Sequence, residues 1–137
     1  MFWGHSLLVV LRSPIHGLGC FSRMDLRAGT VIAEYTGELI PLEEAVRRND
    51  RSYNRFSDFI LELNRKVFID GARLGNESCL INHSCDPNCV VQRIGMRAFI
   101  VSGRAIFGGE ELTIDYSYDE DQHEPCFCHA PNCRGFI

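Results

Sequence analysis

The chain has 137 residues and a formal net charge of −4, with 45% hydrophobic and 23% charged residues, as expected of one ordinary globular domain. The acidic balance argues against general nucleic-acid binding, which needs a positive field, and suits a basic partner such as a Lys/Arg-rich peptide. The apolar run Leu7–Leu11 is far too short to cross a bilayer and no secretory-signal pattern opens the sequence, so a cytosolic or nuclear protein, monomeric by default, is expected.

In chain order, Leu7–Leu11 is a strand candidate, followed by a loop dense in breakers, Ser13-Pro14-Ile15-His16-Gly17-Leu18-Gly19. Thr30–Tyr35 is rich in β-branched residues. Gly37 breaks it and Glu38–Ile40 resumes. Pro41–Arg48 reads as a short helix, with proline early, acids first and bases last, as the helix dipole prefers. Asn49 and Asp50 end it. Phe59–Leu63 and Val67–Asp70 are strands around an Asn64-Arg65 turn, and Val90–Arg93 and Ala98–Val101 form a hairpin around Gly95. Leu112–Ile114 is the last clear strand. No internal repeat, low-complexity tract or linker stands out. The class is α+β, mostly β, built of small sheets.

Cysteine carries the strongest local signal. Cys126, Cys128 and Cys133 stand in C-x-C-x4-C spacing, and Cys85 lies upstream within Asn82-His83-Ser84-Cys85-Asp86-Pro87-Asn88-Cys89. Seven cysteines, an odd count without a secretory signal, favour metal over disulfides. Three close thiols are one short of a tetrahedral zinc shell, and Cys85 is the obvious lender of the fourth. His123 and His129 are nearby alternatives, though four thiolates fill the shell without them. The competing reading is a disulfide or a set of free buried thiols. Cys20, Cys79 and Cys89 read as free interior thiols.

Five stretches then occur in one order: Ser13 to Phe21, Glu34-Tyr35-Thr36-Gly37-Glu38-Leu39-Ile40, Leu80 to Asn88, Glu111-Leu112-Thr113-Ile114-Asp115-Tyr116, and the cysteine tail ending Cys133-Arg134-Gly135-Phe136. Together they resemble the SET domain, the catalytic module of protein lysine methyltransferases, over nearly the whole chain. The resemblance implies a fold of several small sheets with a knot-like C-terminal crossing and a zinc-bound tail. It divides the chain into a SET domain, 1–118, and a post-SET zinc-binding segment, 119–137. It also implies transfer of a methyl group from S-adenosylmethionine to a lysine of a histone tail, histone H3 favoured, in nuclear chromatin.

The resemblance carries roles to matching positions. Tyr116 is implied as the main catalytic residue and Tyr35 as a second tyrosine lining the lysine channel, with Ile114 and Tyr118. Gly17, Leu18, Gly19, Asn82, His83, Tyr116 and Phe127 are implied as cofactor contacts, and Cys85, Cys126, Cys128 and Cys133 as ligands of a structural zinc. Plain packing competes for Tyr35, as a strand tyrosine, and for Phe127, on the metal knuckle. Ile114 stands where the family often has Phe or Tyr; it cannot donate a hydrogen bond, which points to a product beyond monomethyl-lysine. Cys79 and Leu80 depart from the arginine and phenylalanine of many relatives. The acidic run Asp119, Glu120, Asp121 and Glu124 could meet a basic peptide; a solvated linker is the plainer reading. The alternatives to a histone methyltransferase are an enzyme acting on a non-histone protein, a SET-like module that binds peptide without turnover, and a small zinc-dependent nucleic-acid binder.

Overall fold

The computed structural model describes residues 6–48, 59–116 and 125–137. Among the described residues, ten short strands form three small sheets beside one α-helix, in accord with the β-rich class. The first sheet joins β1 (Leu8–Arg12), β2 (Leu18–Ser22), β10 (Glu111–Ile114) and β7 (Asn82–His83), in the order β1-β2-β10-β7. The second joins β3 (Val31–Tyr35), β9 (Arg97–Ser102) and β8 (Cys89–Ile94), in the order β3-β9-β8. The third joins β4 (Glu38–Pro41), β6 (Val67–Asp70) and β5 (Ile60–Glu62), in the order β4-β6-β5, with α1 (Leu42–Arg48) beside it. Among the described residues no helix is long and apolar enough to cross a membrane.

Three elements lie where no regular structure is expected from sequence. The glycine stretch turns into β2 from Leu18 onward, because it pairs as a hairpin with β1, Leu8 opposite Ser22 to Arg12 opposite Leu18. A 3₁₀ turn, Glu77–Leu80, begins at Asn76, whose side chain accepts the Ser78 N–H in an N-cap. The two-residue strand β7 is too short for any periodicity; its partner β10 defines it, in parallel, Thr113 beside Asn82 and Ile114 beside His83. Pro41 ends β4 rather than opening the helix. Asn49 and Asp50 lie outside the described residues.

The structure also contains a repeat that the sequence hides. Ser22/Ser102, Leu26/Ile106 and Gly29/Gly109 are each 80 positions apart. Leu26 and Ile106 exchange both backbone bonds, at 2.7 and 2.9 Å. The Ser22 N–H donates to the Glu110 carbonyl and the Ser102 N–H to the Thr30 carbonyl, each at 2.9 Å. The Gly109 N–H donates to Ser22 and the Gly29 N–H to Ser102, each at 2.8 Å. Phe21 opposite Glu111 in one sheet corresponds to Val101 opposite Val31 in the other. Two hairpins, β1-β2 and β8-β9, thus each accept the strand that follows the other's turn, about a local pseudo-twofold axis. Few identities mark it, because backbone bonds rather than side chains carry the repetition.

The core lies between these sheets. Cys20, Ile81, Ala98, Ile100, Ile106 and Leu112 are at most 2% exposed, and Tyr35 and Ile114 belong to the same cluster. Each fully buried aliphatic side chain contributes roughly 1.5–3 kcal/mol. Cys20 and Cys89 are buried and Cys79 half-buried, all three free. Burial pushes the Cys20 thiol up to about 12 and Cys89 up to about 11, so both remain neutral packing groups.

Candidate active site and metal centre

The site gathers around the segment between the 3₁₀ turn and β8. Its first part docks on β3: Asn76 Nδ2 and the Ser78 hydroxyl both donate to the Glu34 carbonyl, at 3.0 and 3.2 Å. Its second part pairs with β10. Asn88, 3% exposed, then fixes the far end of the loop. Its N–H donates to Thr113 Oγ1 and its Nδ2 to the Glu111 carbonyl, while its Oδ1 accepts the Thr113 N–H at 2.9 Å. This buried amide holds Ser84–Asn88 rigidly against the strand that leads to Tyr116. Sequence reasoning quoted Asn88 within a motif but gave it no task; an asparagine facing a strand is a weak signal by itself.

Tyr116 follows β10 and is half-buried. Its hydroxyl donates to the Ile81 carbonyl at 2.5 Å, and its backbone N–H donates to His83 Nδ1 at 3.0 Å. The His83 ring meets the Tyr116 ring edge-on, 5.4 Å between centroids. His83 is 3% exposed, and burial holds it below the ordinary histidine range, with Asp115 opposing. Because Nδ1 accepts, the proton of the neutral ring sits on Nε2, which faces Cys85 Sγ at 3.4 Å. His83 therefore couples Tyr116 directly to the cysteine centre.

Tyr35, at the end of β3, is 5% exposed, and its hydroxyl donates to the Phe59 carbonyl at 2.6 Å. Ile114 is 4% exposed, and its carbonyl accepts the Ser84 N–H at 3.0 Å. Tyr118, His123 and the acidic run Asp119, Glu120, Asp121 and Glu124 lie outside the described residues.

Gly17 has φ +48° with open space around it, a conformation that suits glycine. Leu18 is half exposed. Gly19 owes its lack of a side chain to the protein itself, since an added Cβ would lie 2.3 Å from Glu111 Oε2 and 3.0 Å from Asn82 Nδ2. The Asn82 amide donates to the carbonyls of His16 and Leu18, each at 3.1 Å, and to Glu111 at 2.9 Å. Asn82 thus secures the glycine loop. Phe127 is 62% exposed, so its ring is not packed into the metal knuckle.

The structure brings Cys85, Cys126, Cys128 and Cys133 together, all four sulfurs within 4.8 Å of one another. Cys85 Sγ lies 3.8 Å from Cys126 Sγ and 3.9 Å from Cys133 Sγ. These separations exclude disulfides, which need about 2.05 Å. They match a tetrahedral zinc shell, whose ~2.3 Å Zn–S bonds set sulfur–sulfur edges near 3.8 Å. Backbone amides support the sulfurs as acceptors: the Arg134 N–H points at Cys85 at 3.4 Å and the Gly135 N–H at Cys133 at 3.3 Å. Burial opposes ionisation of Cys128, but backbone donors and the neighbouring thiols outweigh it and bring that thiol down to about 6. The donor set can hold a zinc ion. His129, exposed and at φ +63°, is not among the four. The Arg134 guanidinium also spans both Asp115 oxygens at 3.1 Å each, a second tie between the tail and the end of β10.

A family model described as SET domain matches residues 17–117. The chain belongs to the SET-domain family. It is 41% identical over 135 residues to histone-lysine N-methyltransferase 2D of Homo sapiens, covering 92% of this chain and 2% of that protein. It is 36% identical over 133 residues to the histone-lysine N-methyltransferase, H3 lysine-4 specific, of Schizosaccharomyces pombe, covering 91% of this chain and 14% of that one. It is 36% identical over 129 residues to histone-lysine N-methyltransferase ash1 of Drosophila melanogaster, covering 88% and 6%. The chain thus spans a small part of each relative's length. The SET family is a family of S-adenosylmethionine-dependent methyltransferases, and the mostly β architecture of small sheets accords with it.

Proposed function

We propose that this SET domain transfers a methyl group from S-adenosylmethionine to a lysine side chain of a histone tail, histone H3 favoured, in nuclear chromatin. The observation that carries the reading is Tyr116 in a SET domain, its hydroxyl hydrogen already committed to the Ile81 carbonyl. With its hydrogen so placed, the phenolic oxygen can act toward an incoming group as an acceptor and not as a donor. That suits an amine awaiting alignment. A lysine amine with a pKa of about 10.4 must lose its proton to act as nucleophile, and a desolvated channel favours the neutral form.

S-adenosylmethionine supplies the methyl group on a cationic sulfur. The protein's own task is alignment, which can contribute several kcal/mol to a two-substrate reaction. Tyr116 orients the amine, Tyr35 and Ile114 line the channel with Tyr118, and Ile114, which cannot donate a hydrogen bond, favours a product beyond monomethyl-lysine. Gly17, Leu18, Gly19, Asn82, His83 and Phe127 form the cofactor side. Zinc held by Cys85, Cys126, Cys128 and Cys133 has no open position and is architectural. It fixes the cysteine tail, within the post-SET segment 119–137, as one wall of the site.

The test is transfer of labelled methyl from S-adenosylmethionine to core histones. Label on histone H3, with di- or trimethyl-lysine by mass spectrometry, is the expected result. Cofactor binding without labelling of any protein would overturn catalysis in favour of a peptide-binding module.

A further inference from the structure

Glu111 opens β10, and nothing in the chemistry above calls on its side chain. Yet the contacts that shape the glycine loop converge on its carboxylate. The Ser13 hydroxyl donates to Oε1 and Oε2, each at 2.8 Å. The same Ser13 oxygen accepts the N–H groups of Ile15 and His16, at 2.9 and 3.3 Å. Asn82 Nδ2 donates to Oε2 and, from the same amide, to the carbonyls of His16 and Leu18. Gly19 lies so close that a Cβ would collide with the carboxylate. Residues from three distant parts of the chain thus set the course of Ser13–Gly19 through one acidic group.

The chemistry of that group is specific. An ionised carboxylate only accepts hydrogen bonds, and both of its oxygens face donors here. Glutamine has the same shape but one donor end. Turned one way, that end meets a Ser13 oxygen that already accepts two N–H groups; turned the other way, it meets the Asn82 NH₂. A merely space-filling Glu111 would tolerate glutamine.

We propose that Glu111 is a positioning residue for the cofactor: through Ser13 and Asn82 it holds the loop in the shape that receives S-adenosylmethionine. The inference rests on the reading of Gly17, Leu18 and Gly19 as the cofactor loop. The test uses the 137-residue chain loaded with zinc, with S-adenosylhomocysteine as the binding probe and calorimetry and backbone-amide spectra as readouts. Glu111→Gln raises the Kd for the probe and the KM for S-adenosylmethionine by about tenfold, the scale of one lost charge-assisted bond. Its KM for peptide at saturating cofactor stays near the wild-type value. Ser13→Ala shows part of the same loss, and Ser13→Thr, which keeps the hydroxyl, restores binding. Glu110→Gln, whose carboxylate pairs with Arg104 instead, binds as wild type.

Unchanged Kd in folded Glu111→Gln and Ser13→Ala overturns the proposal, as does a peptide KM that rises in step with the cofactor KM. If Glu111→Gln does not fold, the two Ser13 variants decide. In wild type the probe moves the amide signals of Gly17–Gly19. Binding that leaves them still would overturn the loop assignment, and the inference with it. Signals that move equally in wild type and Glu111→Gln, at equal Kd, overturn the inference alone.

Discussion

The two halves of the pseudo-twofold repeat share their backbone and differ in what lies on their outer edges. Each has a hairpin, a turn with a left-handed glycine, and a strand that pairs with the other half's hairpin. Beyond β3, among the described residues, the outer edge receives side chains, Asn76 and Ser78 on the Glu34 carbonyl. Beyond β10 it receives a strand, β7, with Asn82 and His83. One continuous segment, Asn76–His83, therefore crosses from one half to the other, between β3, which ends at Tyr35, and β10, which leads to Tyr116. The candidate site lies where the symmetry breaks: a repeated framework carries an unrepeated segment with Asn82 and His83, the proposed cofactor contacts.

Tyr35 and Tyr116 give the largest expected contrast. Each hydroxyl donates to a backbone carbonyl, at 2.6 and 2.5 Å, so Phe substitution at either position costs similar stability, about 1 kcal/mol. Activity separates them. Tyr116→Phe lowers kcat by at least about 10²-fold, the scale for losing one aligned group at a reacting centre. Tyr35→Phe lowers it by about tenfold or less, since its hydroxyl is turned to Phe59 within a buried setting. Equal losses in kcat, measured with saturating cofactor and peptide, would break the contrast.

The metal centre sharpens it next. Chelation, or Cys128→Ser, removes about one zinc per chain and abolishes methyl transfer. The β3-β9-β8 sheet has no residue among the four cysteines, so its amide-exchange protection persists. A metal-free wild type with full activity would show that the tail needs no zinc. Collapse of protection across β8 and β9 on chelation would show that the framework depends on the tail.

How much of this was legible in the sequence follows from how each part is held. β3 announced itself through β-branched residues that alternate in part, β6 and β9 as short strands beside turn residues, and the glycine–cysteine motifs announced the family. The start of β2, Leu18 and Gly19, falls in a stretch that reads as loop because it is dense in breakers; its strand state comes from pairing with β1 on one side and β10 on the other. β7 has two residues and exists only through β10. The repeat escaped because Ser22/Ser102, Leu26/Ile106 and Gly29/Gly109 act through backbone bonds that tolerate many side chains. At the site, the cysteine set was readable from spacing. The partners that hold the site together were not: Asn88, Ser13 and Glu111 are common surface residue types, and only tertiary contact buries Asn88 and brings half-buried Ser13 and Glu111 together as donor and acceptor.

Gly29 and Gly109 test the symmetry itself. They have φ of +83° and +92° and nothing within 4 Å of an added Cβ, so alanine at either position costs only backbone strain, about 1–2 kcal/mol. Urea unfolding of the two variants gives equal losses within error if the halves are mechanically equivalent. A larger loss at Gly109 would show that β10, burdened with β7 and the tail, makes its half the stiffer one.

The smallest effect concerns the third sheet, which has no counterpart in the repeat. Arg48, 6% exposed, joins α1 to β4 and β6 by pairing with Glu44, Glu38 and Asp70. Hydrogen bonds from Arg47 and Arg48 hold the Glu44 carboxyl down to about 2, and the bond from Arg48 lowers Glu38 as well. A carboxyl lowered in the folded state adds stability above its unfolded pKa, here about 4.5, and loses it as pH falls toward the folded value. Stability should therefore decline from pH 4.5 toward pH 2 more steeply in wild type than in Glu44→Gln, which has no such proton to take up. Salt should narrow the difference, because Glu44 is near the surface and screened. Thermal melts across that range at two ionic strengths measure it. Parallel curves would mean that α1 is held by Asp70 and packing alone, and that this sheet, like the repeated ones, owes its position to buried contacts rather than to surface charge.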